Sequence, residues 1–199
     1  MVEIVKIQAA DWSQYRSVRL DALRESPGAY GSTFDEEASN PDSWWRERLV
    51  NCDAGQDRPL FAMAGGDVVG LAWGKLEVGA AEKIGQVYQM WVRGNARGLG
   101  IGRLLLQDLV GWFRERGATV ASLWSSVGET PANRLYAALG FIEAGSRTIA
   151  ARSICPVSQD GVDAMRLHVE LVVAADRLKS RRNLGSRPEP RAFSSGPLA

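Results

Sequence analysis

The chain has 199 residues, 45% hydrophobic and 24% charged, which are the length and composition of a globular protein with one sizeable core. No apolar run approaches the roughly 20 residues of a membrane span, the start "MVEIVKIQAADW" lacks the basic and apolar regions of a secretory signal, and Cys52 and Cys155 lie far apart. We therefore expect a reduced, cytoplasmic setting without a membrane partner. No Cys/His cluster has metal-ligand spacing, and the body shows no nucleic-acid module, so we expect neither a metal nor a nucleic-acid partner.

Strand and helix patterns alternate in the N-terminal part of the chain. "VEIVKIQ" alternates apolar and polar residues as a half-buried strand does, and "DWSQYRSVRLDALRES" has apolar residues broadly at helical spacing. The stretch "SPGAYGSTFDEEASNP" is typical of a loop. After it, Pro41 and Asp42 open a short helix that runs through Leu49.

A β-hairpin, a further strand and a long helix are predicted next. In "LFAMAGGDVVGLAWGKLE" a Gly-Gly-Asp turn stands between two β-prone runs, and "KIGQVYQMWV" has the composition of a strand. The helix follows a glycine-rich segment, and Gly117 stops it after "RER". Its predicted apolar face consists of Ile101, Leu104, Leu105, Leu109, Trp112 and Phe113.

The remainder of the body predicts a strand, a short helix and two closing strands. "TVASLWSS" is the strand, and "TPANRLYAALGF" is a helix with Thr130 as N-cap, Pro131 at its first position and Gly140 just past its end. "FIEAGSRTIAAR" and "DAMRLHVELVV" are rich in β-formers and are joined by a polar loop that contains Pro156. We assign His168, on the last strand, a structural role rather than a catalytic one.

The order βαα βββ αβ αββ predicts an α/β (α+β) fold, in which a mixed sheet carries helices on both faces. We expect one domain over residues 1–173. Residues 174–199 hold six Lys/Arg against two Asp/Glu and show no apolar periodicity, so we expect a disordered, solvated basic tail after about Val173. The exposed edges of an open sheet allow a homodimer.

The glycine-rich segment "RGNARGLGIGRLLLQ", residues 93–107, connects a predicted strand to the long helix. Free amides and the positive dipole end at a helix N-terminus favour a phosphate, and glycine lets a ligand approach the backbone. Arg97 adds charge-assisted hydrogen bonds to oxyanions. The alternative is a tight turn with solvated arginines. A P-loop is excluded because no Gly-Lys-Ser/Thr follows, and Arg103 stands where a dinucleotide fingerprint needs its third glycine.

Two motifs resemble the GCN5-related N-acetyltransferase (GNAT) family over about residues 2–172. "VRGNARGLGIG" resembles the family's V-x-P-x-x-R/Q-x-x-G-x-G/A segment, with Arg97, Gly100 and Gly102 as direct matches. Gly94 occupies the position where many members have proline, which loosens the loop. "NRLYAALGF", residues 133–141, resembles the N-x-x-Y-x-x-x-G-F signature on the helix after the fifth strand. The resemblance implies a single domain with a mostly antiparallel central sheet.

The resemblance also implies acetyl-CoA as acetyl donor. The backbone of Met90 and Val92 would bind its pantetheine arm, as an added β-strand would be bound. Asn133 would reach the cofactor or, alternatively, cap its own helix. The pyrophosphate would lie on a loop formed by Arg97, Gly98, Leu99, Gly100, Ile101, Gly102 and Arg103.

The implied chemistry is direct attack of an amine on the thioester, and the departing thiolate needs a proton donor. Tyr136 matches the motif tyrosine and is the candidate acid, with core packing as the alternative. Some members carry a glutamate near the position of Gln86. Because glutamine accepts no proton at neutral pH, Gln86 would instead hold a relay water. The acidic residues 35–37 either line the acceptor side or form a solvated turn.

Two function classes follow from the sequence. The favoured one is an N-acetyltransferase that moves an acetyl group from acetyl-CoA to a primary amine of a small molecule or protein. The other is an acyl-CoA-binding sensor or scaffold with little turnover. Tyr136 favours the enzyme, whereas Gln86 weakly favours the sensor.

Deleting residues 176–199 should leave the domain folded, because the tail has no periodic apolar residues with which to pack. Thermal melts of the full chain and the truncated chain should give the same midpoint. A large fall in the melting temperature of the truncated chain would mean that the tail docks on the body.

Overall fold

A computed structural model describes residues 1–149 and 164–172. In chain order it contains β1 (Val2–Lys6), α1 (Trp12–Glu25), α2 (Phe34–Ala38), α3 (Asp42–Val50), β2 (Asp57–Ala64), β3 (Asp67–Val78), β4 (Lys83–Val92), α4 (Ile101–Glu115), β5 (Val120–Ser126), α5 (Pro131–Ala138), β6 (Ile142–Ile149) and β7 (Ala164–Val172). Short 3-10 turns occupy Ala9–Asp11, Pro27–Ala29, Asn51–Ala54 and Gly94–Ala96. The predicted sequence of elements is present, with α2 in addition.

The strands form one sheet of order β1-β2-β3-β4-β5-β7-β6, in which only β4 and β5 pair in parallel among the described strands. The predicted hairpin is β2–β3. Its turn uses Gly65 and Gly66, with φ of 61° and 90°, the left-handed region that glycine adopts without strain. The described sheet ends at β1 and β6, and the homodimer expected from open edges stays a prediction.

Each face of the sheet is covered by its own helices because the strands alternate their side chains. On β2, Leu60 and Ala62 belong to the core cluster that contains the buried residues of α4, whereas Phe61 between them belongs to the cluster that contains those of α1 and α3. The second face is aromatic: the Tyr15 ring lies 5.6 Å from the rings of both Trp45 and Trp73, measured between centroids. The predicted sheet with helices on both faces is therefore confirmed.

Helix α4 buries a face close to the predicted one. Leu104 was assigned to that face, but it is 39% exposed, and Leu106 is fully buried in its place. Successive helical residues rotate by about 100°, so Leu106 lies beside Leu105 and Leu109, while Leu104 faces outward. The close approach of α4 to the sheet depends on a small residue beneath it, since a Cβ on Gly85 would overlap the Phe113 ring.

The loop expected before α3 contains helix α2, so that part of the prediction is wrong. Thr33 Oγ1 accepts from the amide of Glu36, and the Glu36 carboxylate accepts from the amide of Thr33 at 2.7 Å. This reciprocal capping box stabilises a helix of only five residues. Asp35 is exposed, but Glu37 is buried, so the second of the two alternatives for residues 35–37, a solvated acidic turn, does not hold for Glu37.

Several expectations concern residues outside the described ranges: the basic tail at 174–199, the loop with Pro156, and Cys155. Cys52 is buried, and its thiol contacts the carbonyl oxygen of Arg48 at 3.1 Å. Within residues 1–149 and 164–172, no three His, Cys, Asp or Glu side chains group as a metal site requires. None of the helices in this part of the chain has the length and apolarity needed to cross a bilayer.

Replacing Gly85 by alanine should destabilise the fold by about 1–3 kcal/mol, because Phe113 is fully buried and has little room to yield to the new methyl group. The matched control is Gly111→Ala in α4. A Cβ at Gly111 meets no atom within 4 Å, so this variant should gain roughly 0.5–1 kcal/mol. Urea denaturation measures both changes. A Gly85→Ala protein as stable as the parent would contradict the packing of α4 described above.

Candidate functional site

The sheet opens between its two parallel strands. Residues 84–87 of β4 pair with residues 120–123 of β5, and the pairing stops there, although β4 continues to Val92 and β5 continues to Ser126. Beyond Leu123, β5 pairs only with β7 among the described strands. Residues 88–92 therefore have no ladder partner on the β5 side within the described sheet, which leaves this edge of β4 available to a ligand.

A β-bulge lies on β4 within this open stretch. Tyr88 pairs with Trp73 and Trp91 pairs with Leu71, so Gln89 and Met90 together face one residue of β3, Ala72. Gln89 has a φ of 54°, which a non-glycine residue rarely adopts. Its side chain accepts a hydrogen bond from the hydroxyl of buried Tyr15 at 3.0 Å, and this bond anchors the bulge to α1.

The glycine-rich segment leads from β4 into α4. Gly98 and Gly100 have φ of 80° and 79°, and Gly100 is the N-cap of α4, with no side-chain hydrogen bond to the cap. The first amides of a helix have no partners within it, so they face outward with the positive end of the helix dipole. This geometry is suited to a phosphate.

A cavity of about 550 Å³ lies between the open stretch of β4, the glycine-rich segment and α5, and we call it the splay cavity. Most of its lining is apolar, with Arg97 and Arg103 as its charged residues. Leu99, which is 71% exposed, and Asn133 lie outside the lining. The lining residues are Ser26, Ala29, Tyr30, Met90, Trp91, Val92, Ala96, Arg97, Gly98, Gly100, Ile101, Gly102, Arg103, Thr130, Pro131, Ala132, Leu135 and Tyr136.

Arg97 is bound to the protein rather than free. Its Nη2 donates to Glu25 Oε1 at 2.7 Å and its Nε donates to the carbonyl of Val92 at 2.9 Å. Glu25 also accepts from the indole of Trp91 at 3.2 Å. A Cβ at Gly94 would lie 2.8 Å from Glu25 Oε1, so a larger residue there would require this carboxylate to move. The small residue makes room for the carboxylate that holds Arg97.

Gly102 lies where three elements meet. A Cβ on it would lie 2.9 Å from Leu135 of α5 and 3.4 Å from the methyl group of Met90 on β4. A larger residue would displace the ends of the Leu135 and Met90 side chains at the start of α4. Ile101 is buried beside it in the core, so its side chain supports the loop from below.

Two tyrosines stand at the cavity. Tyr136 is 6% exposed, packs against Phe141 with ring centroids 6.0 Å apart, and its hydroxyl makes no hydrogen bond to a described residue. Burial raises the pKa of Tyr136 well above its usual value, and the nearby Tyr30 adds to the rise. Burial also raises the pKa of Tyr30 to about 12, and its hydroxyl donates to the carbonyl of Met90 at 3.4 Å. Both phenols are therefore protonated at neutral pH.

Asn133 and Gln86 lie apart from the splay cavity lining. The Asn133 amide donates to the carbonyls of Ser126 and Gly128, at 2.8 and 2.6 Å, and holds the loop between β5 and α5. Gln86 lies in the paired part of β4, between Lys75 and Ser122. On β7, His168 contacts the hydroxyl of Ser122 and stacks on Trp124 with ring centroids 4.5 Å apart.

A second cavity, of about 450 Å³, lies on the α2 side of the bulge, and we call it the side cavity. Tyr30 lines both cavities, and the consecutive residues Gln89 and Met90 line one cavity each. The two cavities therefore lie on either side of Tyr30 and the bulge. The side cavity is lined by Arg19, Tyr30, Gly31, Ser32, Glu36, Glu37, Ser39, Asn40, Trp44, Arg48, Tyr88 and Gln89.

Sequence reasoning did not single out Tyr30, Arg19, Arg48 or Gln89. Arg19 and Glu37 form a buried ion pair across 18 residues, and no local pattern indicates that pairing. One signal was available: Arg48 stands four residues after Trp44 in the predicted helix, a spacing that places an arginine and a tryptophan on one face for a cation–π contact.

Comparison with known proteins identifies the family. The model of the acetyltransferase (GNAT) family matches residues 16–141, more than half of the chain, so the chain belongs to this family. The resemblance and the fold predicted from the sequence are confirmed. GNAT acetyltransferases use acetyl-CoA as donor.

Relatives and solved structures agree with this assignment. A mycothiol acetyltransferase from Thermomonospora curvata is 36% identical over 100 residues, which are 47% of this chain and 33% of that protein, so the match spans about a third of the relative's length. A GNAT-family acetyltransferase from Streptococcus pneumoniae has a TM-score of 0.70 at 14% identity, covering 87% of this chain and 100% of that one. A Salmonella typhimurium protein solved with its cofactor acetyl-CoA has a TM-score of 0.67 at 16% identity, covering 97% and 99%.

Replacing Gly100 by alanine should weaken acetyl-CoA binding about tenfold or more, which corresponds to about 1.4 kcal/mol. A Cβ there meets no protein atom within 4 Å and would project into open space at the cavity, and alanine resists the left-handed φ that presents the helix amides. Isothermal titration calorimetry measures the affinity.

The matched control is Gly117→Ala, because Gly117 has the same φ of 79° at the other end of α4. Both variants should lose a similar roughly 1–2 kcal/mol of stability from backbone strain. Only the Gly100 variant should lose affinity. Equal affinities in the two folded variants would remove the glycine-rich segment from the acetyl-CoA site.

Proposed function

We propose that this chain is an N-acetyltransferase that moves an acetyl group from acetyl-CoA to a primary amine of a small molecule or a protein. The observation that carries the proposal is the splay cavity. This one cavity is bordered by the open edge of β4, by the N-terminus of α4, which has no side-chain cap, and by α5 with the hydroxyl of Tyr136. Membership in the acetyltransferase (GNAT) family supports the same activity.

The residues of the splay cavity fit acetyl-CoA. The left-handed glycines at 98 and 100 leave the amides at the start of α4 without protein partners, as a pyrophosphate requires. Arg103 lines the cavity near these amides, and Arg97 is held in position by Glu25. The backbone of Met90 and Val92 would hold the pantetheine arm. Asn133 would act indirectly, by fixing the loop that precedes α5.

Acetyl-CoA, when bound, supplies an acetyl thioester that an amine attacks. The task of the protein is then to orient the amine and to control two protons. Tyr136 holds one proton at its hydroxyl throughout the neutral range, because burial raises its pKa, and it can donate that proton toward a departing thiolate. Tyr30 holds its own proton in a hydrogen bond to the carbonyl of Met90 and so steadies the bulge.

The acceptor amine must lose a proton before it attacks, since alkyl amines are largely protonated at neutral pH. Among the described residues, no Asp or Glu lines the splay cavity, whereas Glu36 and Glu37 line the side cavity. We therefore assign the acceptor to the side cavity. A relay water on Gln86 stays a prediction.

The absence of a carboxylate among the described residues lining the splay cavity is the observation that favours the second candidate, an acyl-CoA-binding sensor. The two functions separate in one assay. The purified chain is mixed with acetyl-CoA and a panel of amines, amino acids and peptides, and release of free thiol is followed. Acetylation of any amine well above thioester hydrolysis supports the transferase, whereas tight acetyl-CoA binding without transfer supports the sensor.

Replacing Tyr136 by phenylalanine should lower single-turnover acetyl transfer about 10²-fold or more and leave acetyl-CoA affinity unchanged, because the ring stays and only the proton donor is lost. The measurement uses saturating acetyl-CoA at about pH 8, where the raised pKa keeps the parent hydroxyl protonated.

The control is Phe141→Leu, which thins the packing against the Tyr136 ring and keeps the hydroxyl. It should lower the melting temperature and change turnover little. If instead the Tyr136→Phe protein turned over normally and only melted earlier, Tyr136 would be a packing residue.

A further inference from the structure

Four charged side chains line the side cavity, and two of them neutralise each other. Arg19 is 3% exposed and grips Glu37 with two nitrogens: Nε lies 3.1 and 3.0 Å from the carboxylate oxygens, and Nη2 lies 2.6 Å from Oε1. Ser32 hydrogen-bonds to both partners. The ion pair gives each partner its counter-charge, although Arg19 Nη1 is buried without a hydrogen-bond partner.

Arg48 has no such partner. Its guanidinium lies 5.1 Å from the ring centroid of Trp44 and 5.0 Å from that of Trp73, so it is held by cation–π contacts with two indoles. Its Nε is buried without a hydrogen-bond partner, and no carboxylate of a described residue forms an ion pair with the group. A partly buried guanidinium that lines a cavity and lacks an anion is a ready site for one.

Glu36 is the negative counterpart. Its Oε2 accepts from the amide of Thr33, but its Oε1 is buried and has no hydrogen-bond partner. Arg48 and Glu36 are not paired with each other. Both side chains line the side cavity, and neither has an ion-pair partner among the described residues.

This pair of charges discriminates between acceptor classes. A polyamine would satisfy Glu36 and be repelled by Arg48. A lysine side chain of a protein would bring a cation and leave Arg48 without an anion. A small molecule with both an amine and a carboxylate complements both groups, and a cavity of about 450 Å³ with the aromatic walls Tyr30, Trp44 and Tyr88 suits its size.

We propose that the acceptor is a small amino acid-like molecule whose carboxylate binds Arg48 in the side cavity. In this arrangement the amine of the acceptor lies toward Glu36 and the bulge at Gln89. The inference rests on the proposed acetyl transfer, in which this amine is acetylated. Arg48 acts as a specificity-determining residue, and acetyl-CoA binding in the splay cavity does not depend on it.

The test compares each free amino acid with its primary amide, which keeps the amine and removes the carboxylate charge. The amino acid that is acetylated fastest, and its amide, are then assayed with the parent, Arg48→Gln and Arg48→Lys. We expect the ratio of kcat/KM for acid over amide to fall roughly 10- to 100-fold in Arg48→Gln and to recover partly in Arg48→Lys, which keeps the charge without the planar fork. Comparing ratios cancels the different amine pKa values of acid and amide.

The matched control is Arg46→Gln, because Arg46 also stacks on an indole, 4.2 Å from the Trp12 centroid, in the same helix, but does not line the side cavity. Its acid-to-amide ratio should equal that of the parent. Acetyl-CoA affinity should be unchanged in all three variants.

A binding measurement keeps the two proposals separate. N-acetyl amino acids and their amides are titrated into the parent chain in the presence of CoA, so no turnover and no folded Arg48 variant is needed. Preferential binding of the acids supports the carboxylate site whether or not acetyl transfer occurs. If no transfer occurs as well, the transferase is rejected and the carboxylate site stands. Equal binding and equal turnover of acids and amides, or a preference for polyamines or lysine peptides, overturns the carboxylate site while leaving the transferase standing.

Discussion

The structure of the site depends on one constraint, which is that β4 and β5 stop pairing after Val87 and Leu123. Strands that paired along their full length would bury the edge of β4 in the sheet and leave no cavity. Instead, the helices that follow each strand, α4 and α5, become opposite walls of the splay cavity. The β-bulge at Gln89 and Met90 lies within the same stretch, where the backbone is free of β5.

Contacts from the other face of the sheet hold this opening in shape. Tyr15 of α1 binds the side chain of Gln89, and Glu25 at the end of α1 binds Arg97 and Trp91. Helix α1 therefore supports both the bulge and the glycine-rich segment, although its two supporting residues lie outside the lining of the splay cavity. These contacts from outside the cavity explain how the glycine-rich segment keeps a defined geometry.

The two cavities differ in chemistry, and the difference supports the proposed division between donor and acceptor. The splay cavity is apolar, with arginines and open amides toward α4, and suits a donor that has a long neutral arm and a charged end. The side cavity carries paired and unpaired charges among aromatic rings, and suits a small charged acceptor. Tyr30 and the bulge form the boundary where donor and acceptor would meet.

Local patterns in the sequence determined the order of elements, the α4 helix with its glycine-rich start, the Thr130–Pro131 opening of α5, and the family. Each of these features depends on residues a few positions apart, because periodicity, helix capping and the backbone freedom of glycine are local properties of the chain. Two details were predicted wrongly: Leu104 was placed on the buried face of α4, and helix α2, which depends on a capping box, was predicted as a loop. Only the tertiary structure decided where β4 leaves β5, that Arg97 is held by Glu25 72 residues away, and that Arg48 lacks the carboxylate that Arg19 has. Those features depend on which distant side chains the packed sheet brings together. Hydrophobic periodicity predicts helices and strands but does not predict such partners.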